Sequence, residues 1–241
     1  MAKAPIAGAV KTRLVPLLSP EEAANLHICF LRDMSANIAE IVARKPAEGV
    51  VVYTPVGAEG TFDGIVPREF KLLGQRGESL GDRLCNATED LLAQGFSSLC
   101  LVNADSPTLP GRLFELAIES LSRDGDRVVL GAAVDGGYYL IGLKRVHPEL
   151  FERIAWSTSE VLAHTIERAT EIGLEVDLLP QWYDVDEDVT LNQLCEELFF
   201  SRCGDGNYPA PRTREYLARL IESGRIFPEL ARHTRIYGIT S

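Results

Sequence analysis

Short apolar runs recur between longer amphipathic segments, and this alternation constrains the fold more than any other feature of the sequence. VVVYT (50–54), LCLVN (99–103), VVLG (128–131), YYLIGL (138–143) and LEVDLL (174–179) each read as a strand. Helical segments lie between them. Ser19 caps the first, Pro20 suits its first position, and Glu22 completes a capping box before an apolar pattern that continues to about Arg44. Further helices are expected over 80–94 with Gly95 as stop, 111–122, 157–172 with Gly173 as stop, 189–200 and 212–223. Residues 55–78 read as loop with one short strand at 70–73. This alternation predicts an α/β sandwich around a largely parallel sheet, and the turn DGG (135–137) adds an antiparallel pairing. Residues 1–200 form one domain in this reading, and 201–241 are a linker and helical tail packed on it.

Charge and composition exclude several classes. A net charge of −11 repels a phosphate backbone, so nucleic acid is not an expected partner. No apolar run approaches the ~20 residues of a membrane span. Met1 is followed at once by a basic loop, without the pattern of a secretory signal, so a cytoplasmic location is expected. Cys29, Cys85, Cys100, Cys195 and Cys203 form no C-x-x-C pair and read as scattered thiols. His27, His147, His164 and His233 lie far apart and read as structural or surface residues.

The stretch GAVKTRL (8–14) ends like a phosphate-binding loop, but G-x-x-x-x-G-K-[ST] would need glycines where Pro5 and Val10 stand. It remains a flexible basic loop carrying Lys3, Lys11 and Arg13. Ligands of open α/β sheets sit outside the carboxyl ends of the strands. Asp105 follows LCLVN; Asp135, Gly136 and Gly137 follow VVLG; Asp184 and Asp186 follow LEVDLL. Three acidic loops on one edge can converge on Mg²⁺ or Mn²⁺, which share their shell with substrate phosphates. The basic loop and Gln75, Arg76 and Arg83 of QRGESLGDR (75–83) suit a nucleotide diphosphate at that edge. Each feature also has a purely structural reading. Asp105 can make an Asx turn, DGG a hairpin turn and YDVDED (183–188) an acidic helix cap. Trp156 and Trp182 can be core, and the basic residues can be surface charges.

Taken together, AKAPIAGAVKTRL (2–14), Q-x-G-x-x-L-G-x-R (75–83), NADSPTLP (103–110), DGGYYLIG (135–142), WST (156–158) and WYDVD (182–186) resemble a bacterial family. It is the radical-SAM/selenodomain-associated transferases of type 1, assigned to arsenosugar-biosynthesis-type glycosyltransferases. The likeness spans about residues 2–200 in the same order. It implies a GT-A-type fold, a three-layer α/β/α sandwich of the nucleotide-diphosphosugar transferases with a mixed, mostly parallel sheet. By position, Gly8, Lys11 and Arg13 would hold the nucleotide, with Gln75 and Arg83 lining its side. Asp105 would be the metal-binding aspartate, and Asp184 or Asp186 a second metal or acceptor contact. Asp135, Gly136 and Gly137 would face sugar or acceptor, and Trp156 would line the substrate side. Two departures stand out. Residues 103–105 read Asn-Ala-Asp, not Asp-x-Asp, and the apolar strand that precedes the A-K-A-P loop in relatives is missing, so such a strand is expected upstream of Met1.

The leading reading is therefore a glycosyltransferase that depends on Mg²⁺ or Mn²⁺ and takes a nucleotide sugar and a small-molecule acceptor, with Asp135 positioning or deprotonating the acceptor hydroxyl. The alternative is a guanylyltransferase-like nucleotidylyltransferase that releases pyrophosphate, and a third is a nucleotide-binding subunit without turnover. In all three the basic loop meets phosphate. Lys11→Ala combined with Arg13→Ala should weaken binding of a nucleoside diphosphate far more than that of the nucleoside, as titration calorimetry of the two ligands will show.

Overall fold

A computed structural model describes residues 1–200 and 206–227 of the chain. Residues 201–205 of the expected linker at 201–211, and the tail from 228, with Cys203 and His233, lie outside the described residues.

Local signals set the helix ends. Helix α1 spans Pro20–Val42. Ser19 Oγ accepts the Glu22 amide at 3.2 Å, and the Glu22 carboxylate accepts the Ser19 amide at 2.7 Å. This reciprocal box satisfies two amides that would otherwise lack partners. Helix α2, Leu80–Ala93, starts on a second box between Ser79 and Asp82.

Strands β1 (Ala2–Lys3), β2 (Val50–Thr54) and β3 (Lys71–Gly74) form a parallel sheet in that order. Strands β4 (Leu99–Val102), β5 (Arg127–Ala133), β6 (Tyr138–Leu143) and β7 (Glu175–Trp182) form a second sheet, ordered β4-β6-β5-β7. There β6 runs antiparallel to both neighbours, and β5 and β7 are parallel. The expected first strand is thus not wholly missing, but it is only two residues long. Ala2 and Lys3 pair with Tyr53 and Thr54, and the Met1 ammonium reaches the Val102 carbonyl at 2.7 Å. Two residues are too few for a ladder on both sides, so the expected single sheet is split between β1 and β4.

Helices cover both faces, which gives three layers. Alternation along the strands sends Val128, Leu130, Ile141 and Leu143 to one face, against Leu84 and Leu91 of α2 and Ala169 of α4, Val161–Glu171. Val129 and Leu140 go to the other face, against Met34 of α1 and Leu113 and Leu121 of α3, Gly111–Ser122. Helix α4 begins four residues later than the sequence suggests, because Ser157 adopts a left-handed backbone (φ 65°) and residues 157–160 form turns. Those turns sit on the 135–137 turn. A Cβ on Gly136 (φ 90°) would lie 2.1 Å from the Ser159 carbonyl oxygen, so only glycine fits there. Among the described residues no helix is long and apolar enough to cross a membrane.

Helices α5 (Asp188–Phe200) and α6 (Pro211–Glu222) join α1 in a further apolar cluster with Leu14, Leu18 and Val185. The buried Asp33 of α1 caps α6 across the fold, accepting the amides of Arg212 (3.1 Å) and Thr213 (2.7 Å). Asp33→Ala should cost about 1–2 kcal/mol in urea unfolding and speed amide exchange first in α6, since it orphans two helix-end donors.

Candidate nucleotide site

The loop after β1 places the first functional side chain. It turns at Gly8 (φ 76°) and again at Lys11, whose φ of 48° and ψ of 38° are left-handed, before the 3₁₀ turn Thr12–Leu14. A lysine in that region costs on the order of 1 kcal/mol and persists only where its surroundings hold it. Here they do. The Lys11 ammonium lies 2.5 Å from Asp105 and 2.8 Å from Asp186, donates to the Val185 carbonyl at 2.8 Å, and sits 5.1 Å from the Phe30 ring centroid. Leu14 and Leu18, fully buried, anchor the end of the loop.

A backbone bond brings the two carboxylates together. The Val185 amide donates to the Asp105 carbonyl at 2.9 Å, which lays the loop after β7 along the loop after β4. Burial alone would raise the Asp105 carboxyl, but the Lys11 ammonium overrides it and holds the group below the usual carboxylate range. Lys11 is raised in turn, because its two carboxylates outweigh the cost of burial. Among the described residues Asp184 has no such cation. Burial first, then the charges of Asp135 and Asp186, push its carboxyl up to about 6.

A cavity of about 420 Å³ opens beside this cluster. Lys11, Arg13, Gln75, Arg83, Asp105 and Asp186 all line it, as the sequence led one to expect. Its size falls in the range of small-molecule sites. Arg13 is exposed and lies 3.5 Å from Glu187, while the Gln75 amide donates to the Val52 carbonyl at 2.9 Å. His27 and Thr54 also line the cavity and were not among the candidates. His27 hydrogen-bonds the Lys3 carbonyl through Nε2 at 3.1 Å, and burial lowers its pKa, so the ring is neutral at pH 7. Its Nδ1 has no partner among the described residues. Only its place on the inner face of α1 marks it, and a lone histidine in an apolar helix carries no signal of that.

The other candidates stand apart from the cavity wall. Gly8 serves the loop turn. Asp135 accepts the Gly137 amide at 2.8 Å, shaping its own turn, yet its charge reaches Asp184. Gly136 is committed to packing under Ser159. Trp156 packs with the apolar cluster of α2 and β4, and its indole nitrogen would lie 2.9 Å from a Cβ on Gly81. The ring is half-buried there, away from the cavity wall.

Among the described residues no three His, Cys, Asp or Glu side chains are grouped to hold a metal by themselves. Asp105 and Asp186 do meet on one positive charge, the Lys11 ammonium. That donor set fits a hard cation bound by one or two carboxylates and completed by substrate oxygens. It does not fit a cation caged by protein alone.

Comparison with known proteins agrees with this architecture. Residues 37–158 match a family described as "Uncharacterized protein conserved in bacteria (DUF2064)". A crystal structure from Desulfovibrio desulfuricans G20, proposed to be a nucleotide-diphospho-sugar transferase, is 31% identical. That match covers 90% of this chain and 94% of the other, with a TM-score of 0.76, so the fold matches that of a nucleotide-diphospho-sugar transferase. CMP:2-keto-3-deoxy-manno-octonic acid synthetase, solved with CTP, overlaps 67% of this chain and 85% of its own at 14% identity and a TM-score of 0.46. No curated protein sequence matches the chain.

The raised carboxyl of Asp184 has a consequence for stability. A group whose folded pKa lies above its unfolded value costs nothing below the unfolded value and burdens the fold as pH rises through the folded one, here about 6. Asp184→Asn should therefore raise Tm at about pH 7.5 and leave it unchanged near pH 3, in scanning calorimetry with chelator present.

Proposed function

The chain belongs to the DUF2064 family of bacterial proteins, and on that premise we propose that it is a metal-dependent glycosyltransferase that moves a sugar from a nucleoside diphosphate to a small-molecule acceptor. The observation that carries this reading is the meeting of Lys11, Asp105 and Asp186 on the wall of one cavity that Arg13 and Arg83 also line. The resemblance of its motifs to those of the radical-SAM/selenodomain-associated transferases, and the nucleotide-diphospho-sugar transferase proposed from D. desulfuricans, support the same reading.

In this reading Arg13 and Arg83 take charge from the diphosphate, and Gln75 lies on the nucleotide side. Lys11 adds a fixed positive charge where negative charge grows on the leaving group. Mg²⁺ or Mn²⁺, held by Asp105 and Asp186 with phosphate oxygens, would supply further neutralisation of the departing nucleoside diphosphate. Asp135 remains the candidate to orient the acceptor hydroxyl. Asp184 beside it, with a carboxyl near 6, is suited to accept the proton that the hydroxyl releases.

One observation favours a second reading. The Asn-Ala-Asp at 103–105 leaves a single carboxylate where many GT-A glycosyltransferases have two. A nucleotidylyltransferase would use the same cavity to join a nucleoside triphosphate to a phosphorylated small molecule. Products separate the two: nucleoside diphosphate supports glycosyl transfer, pyrophosphate nucleotidyl transfer.

Asp105→Asn tests the shared core of both. It should weaken nucleotide binding in Mg²⁺ or Mn²⁺ by about 100-fold and change binding in chelator little, while the far-UV spectrum stays native. Equal affinity of variant and parent in Mn²⁺ would defeat the proposal.

A further inference from the structure

An ammonium group has three N–H donors, and those of Lys11 meet three acceptors. Asp105 lies 2.5 Å away, Asp186 2.8 Å, and the Val185 carbonyl 2.8 Å. The Phe30 ring covers the group at 5.1 Å to its centroid, and only 3% of the side chain is exposed. No donor is left for a phosphate oxygen. Arg13, by contrast, is 65% exposed and holds Glu187 at 3.5 Å, so it can turn to an anion without breaking a buried contact. In this arrangement Lys11 serves the two carboxylates and not an incoming diphosphate.

Those carboxylates are the pair assigned above to Mg²⁺ or Mn²⁺. An ion shared between them takes the place of the ammonium, because a second positive charge enclosed beside the first is repelled with little water to screen it. The backbone of Lys11 is poised for such an exchange. Its φ of 48° and ψ of 38° are left-handed, a conformation that a lysine keeps only while its surroundings hold it, and the three contacts just named are the hold. Upstream, a Cβ on Gly8 (φ 76°) would meet nothing within 4 Å, so the loop has room to turn there.

We propose that Lys11 holds the cation seat between Asp105 and Asp186 in the free protein and yields it when nucleotide and divalent ion enter together, its ammonium passing to the phosphates. The proposal rests on the metal-dependent reading above and adds an order to it. Without phosphate the ammonium has no other acceptor to move to, and the seat stays closed to a divalent ion. With phosphate present it exchanges one set of anionic oxygens for another, so ion and nucleotide each raise the affinity for the other. The charge of Lys11 then reaches the leaving group only in the loaded site.

The test measures Mn²⁺ binding without nucleotide, by the electron-spin-resonance signal of free Mn²⁺, for the 241-residue chain and for Lys11→Met. Methionine keeps an apolar chain against Phe30 but carries no charge, which leaves two carboxylates facing each other without a cation. Lys11→Met should bind Mn²⁺ about tenfold more tightly than the parent, and adding Asp105→Asn should abolish the gain. If Lys11→Met does not fold, Lys11→Gly takes its place, since glycine adopts the left-handed backbone without strain. A lysine that merely supports the metal site gives the opposite sign. Mn²⁺ affinity equal to or below the parent's, or a gain that survives Asp105→Asn, would overturn the proposal. Either result leaves the transferase reading to its own test, the metal dependence of nucleotide binding by the parent chain.

Discussion

One ammonium ion organises the candidate site. Lys11 lies in a backbone conformation that lysine avoids, and what holds it there is the pair of carboxylates that converge on its side chain. Those carboxylates come from loops after β4 and β7, far apart in the chain, and a like-charged pair would separate without a cation between them. The ion pair therefore does two things at once. It closes the three loops around one edge of the sheet, and it holds the Asp105 carboxyl below the usual carboxylate range against the upward pull of burial. A buried pair of this kind adds little net stability, because desolvation consumes most of the attraction. What it supplies is position.

The sheet topology explains why that edge is available. Strand β6 runs antiparallel between β4 and β5, so the chain leaves β4 and β5 through loops that end near each other. The register shift at Gly131 and Ala132 re-aims the end of β5, and the following turn carries Asp135 toward Asp184. The tyrosine ring of residue 139 lies where a Cβ on Gly131 would stand, and its hydroxyl donates to the Pro180 carbonyl at 3.0 Å. One aromatic side chain thus ties the bulge to β7. Strand β7 can continue through Pro180 to Trp182 because it lies at the sheet edge, where a missing amide is tolerated.

Elements whose causes are local were legible in the sequence. The capping box of α1, the glycine after α2 and the apolar runs of β2 and β4 each lie within a few residues of what they determine. So were Lys11, Arg13, Asp105 and Asp186 as neighbours of one site, because they follow strands whose ends must share an edge. What stayed hidden depends on distant partners. Nothing near Lys11 announces that it neutralises Asp105 and Asp186. The late start of α4 follows from the 135–137 turn beneath it, and Trp156 is claimed by Gly81 and its cluster. The split between β1 and β4 is a matter of how two strands meet, which periodicity within either strand does not encode.

The cap that Asp33 gives to α6 bears on how the chain assembles. The helix that needs those two hydrogen bonds begins 178 residues after the carboxylate that makes them, by the positions Asp33 and Pro211. Contacts at such separation close late, after most of the chain's entropy has been surrendered. During synthesis α6 leaves the ribosome well after α1, β2 and the second sheet, and it meets a docking face on α1 that is already built. Until then Asp33 is a carboxylate with no donors in an apolar surface, which makes the nascent fold a poorer one than the finished chain. Helix α6 therefore acts as a late seal on α1, because a chain that has not yet reached residue 211 leaves Asp33 without those two donors.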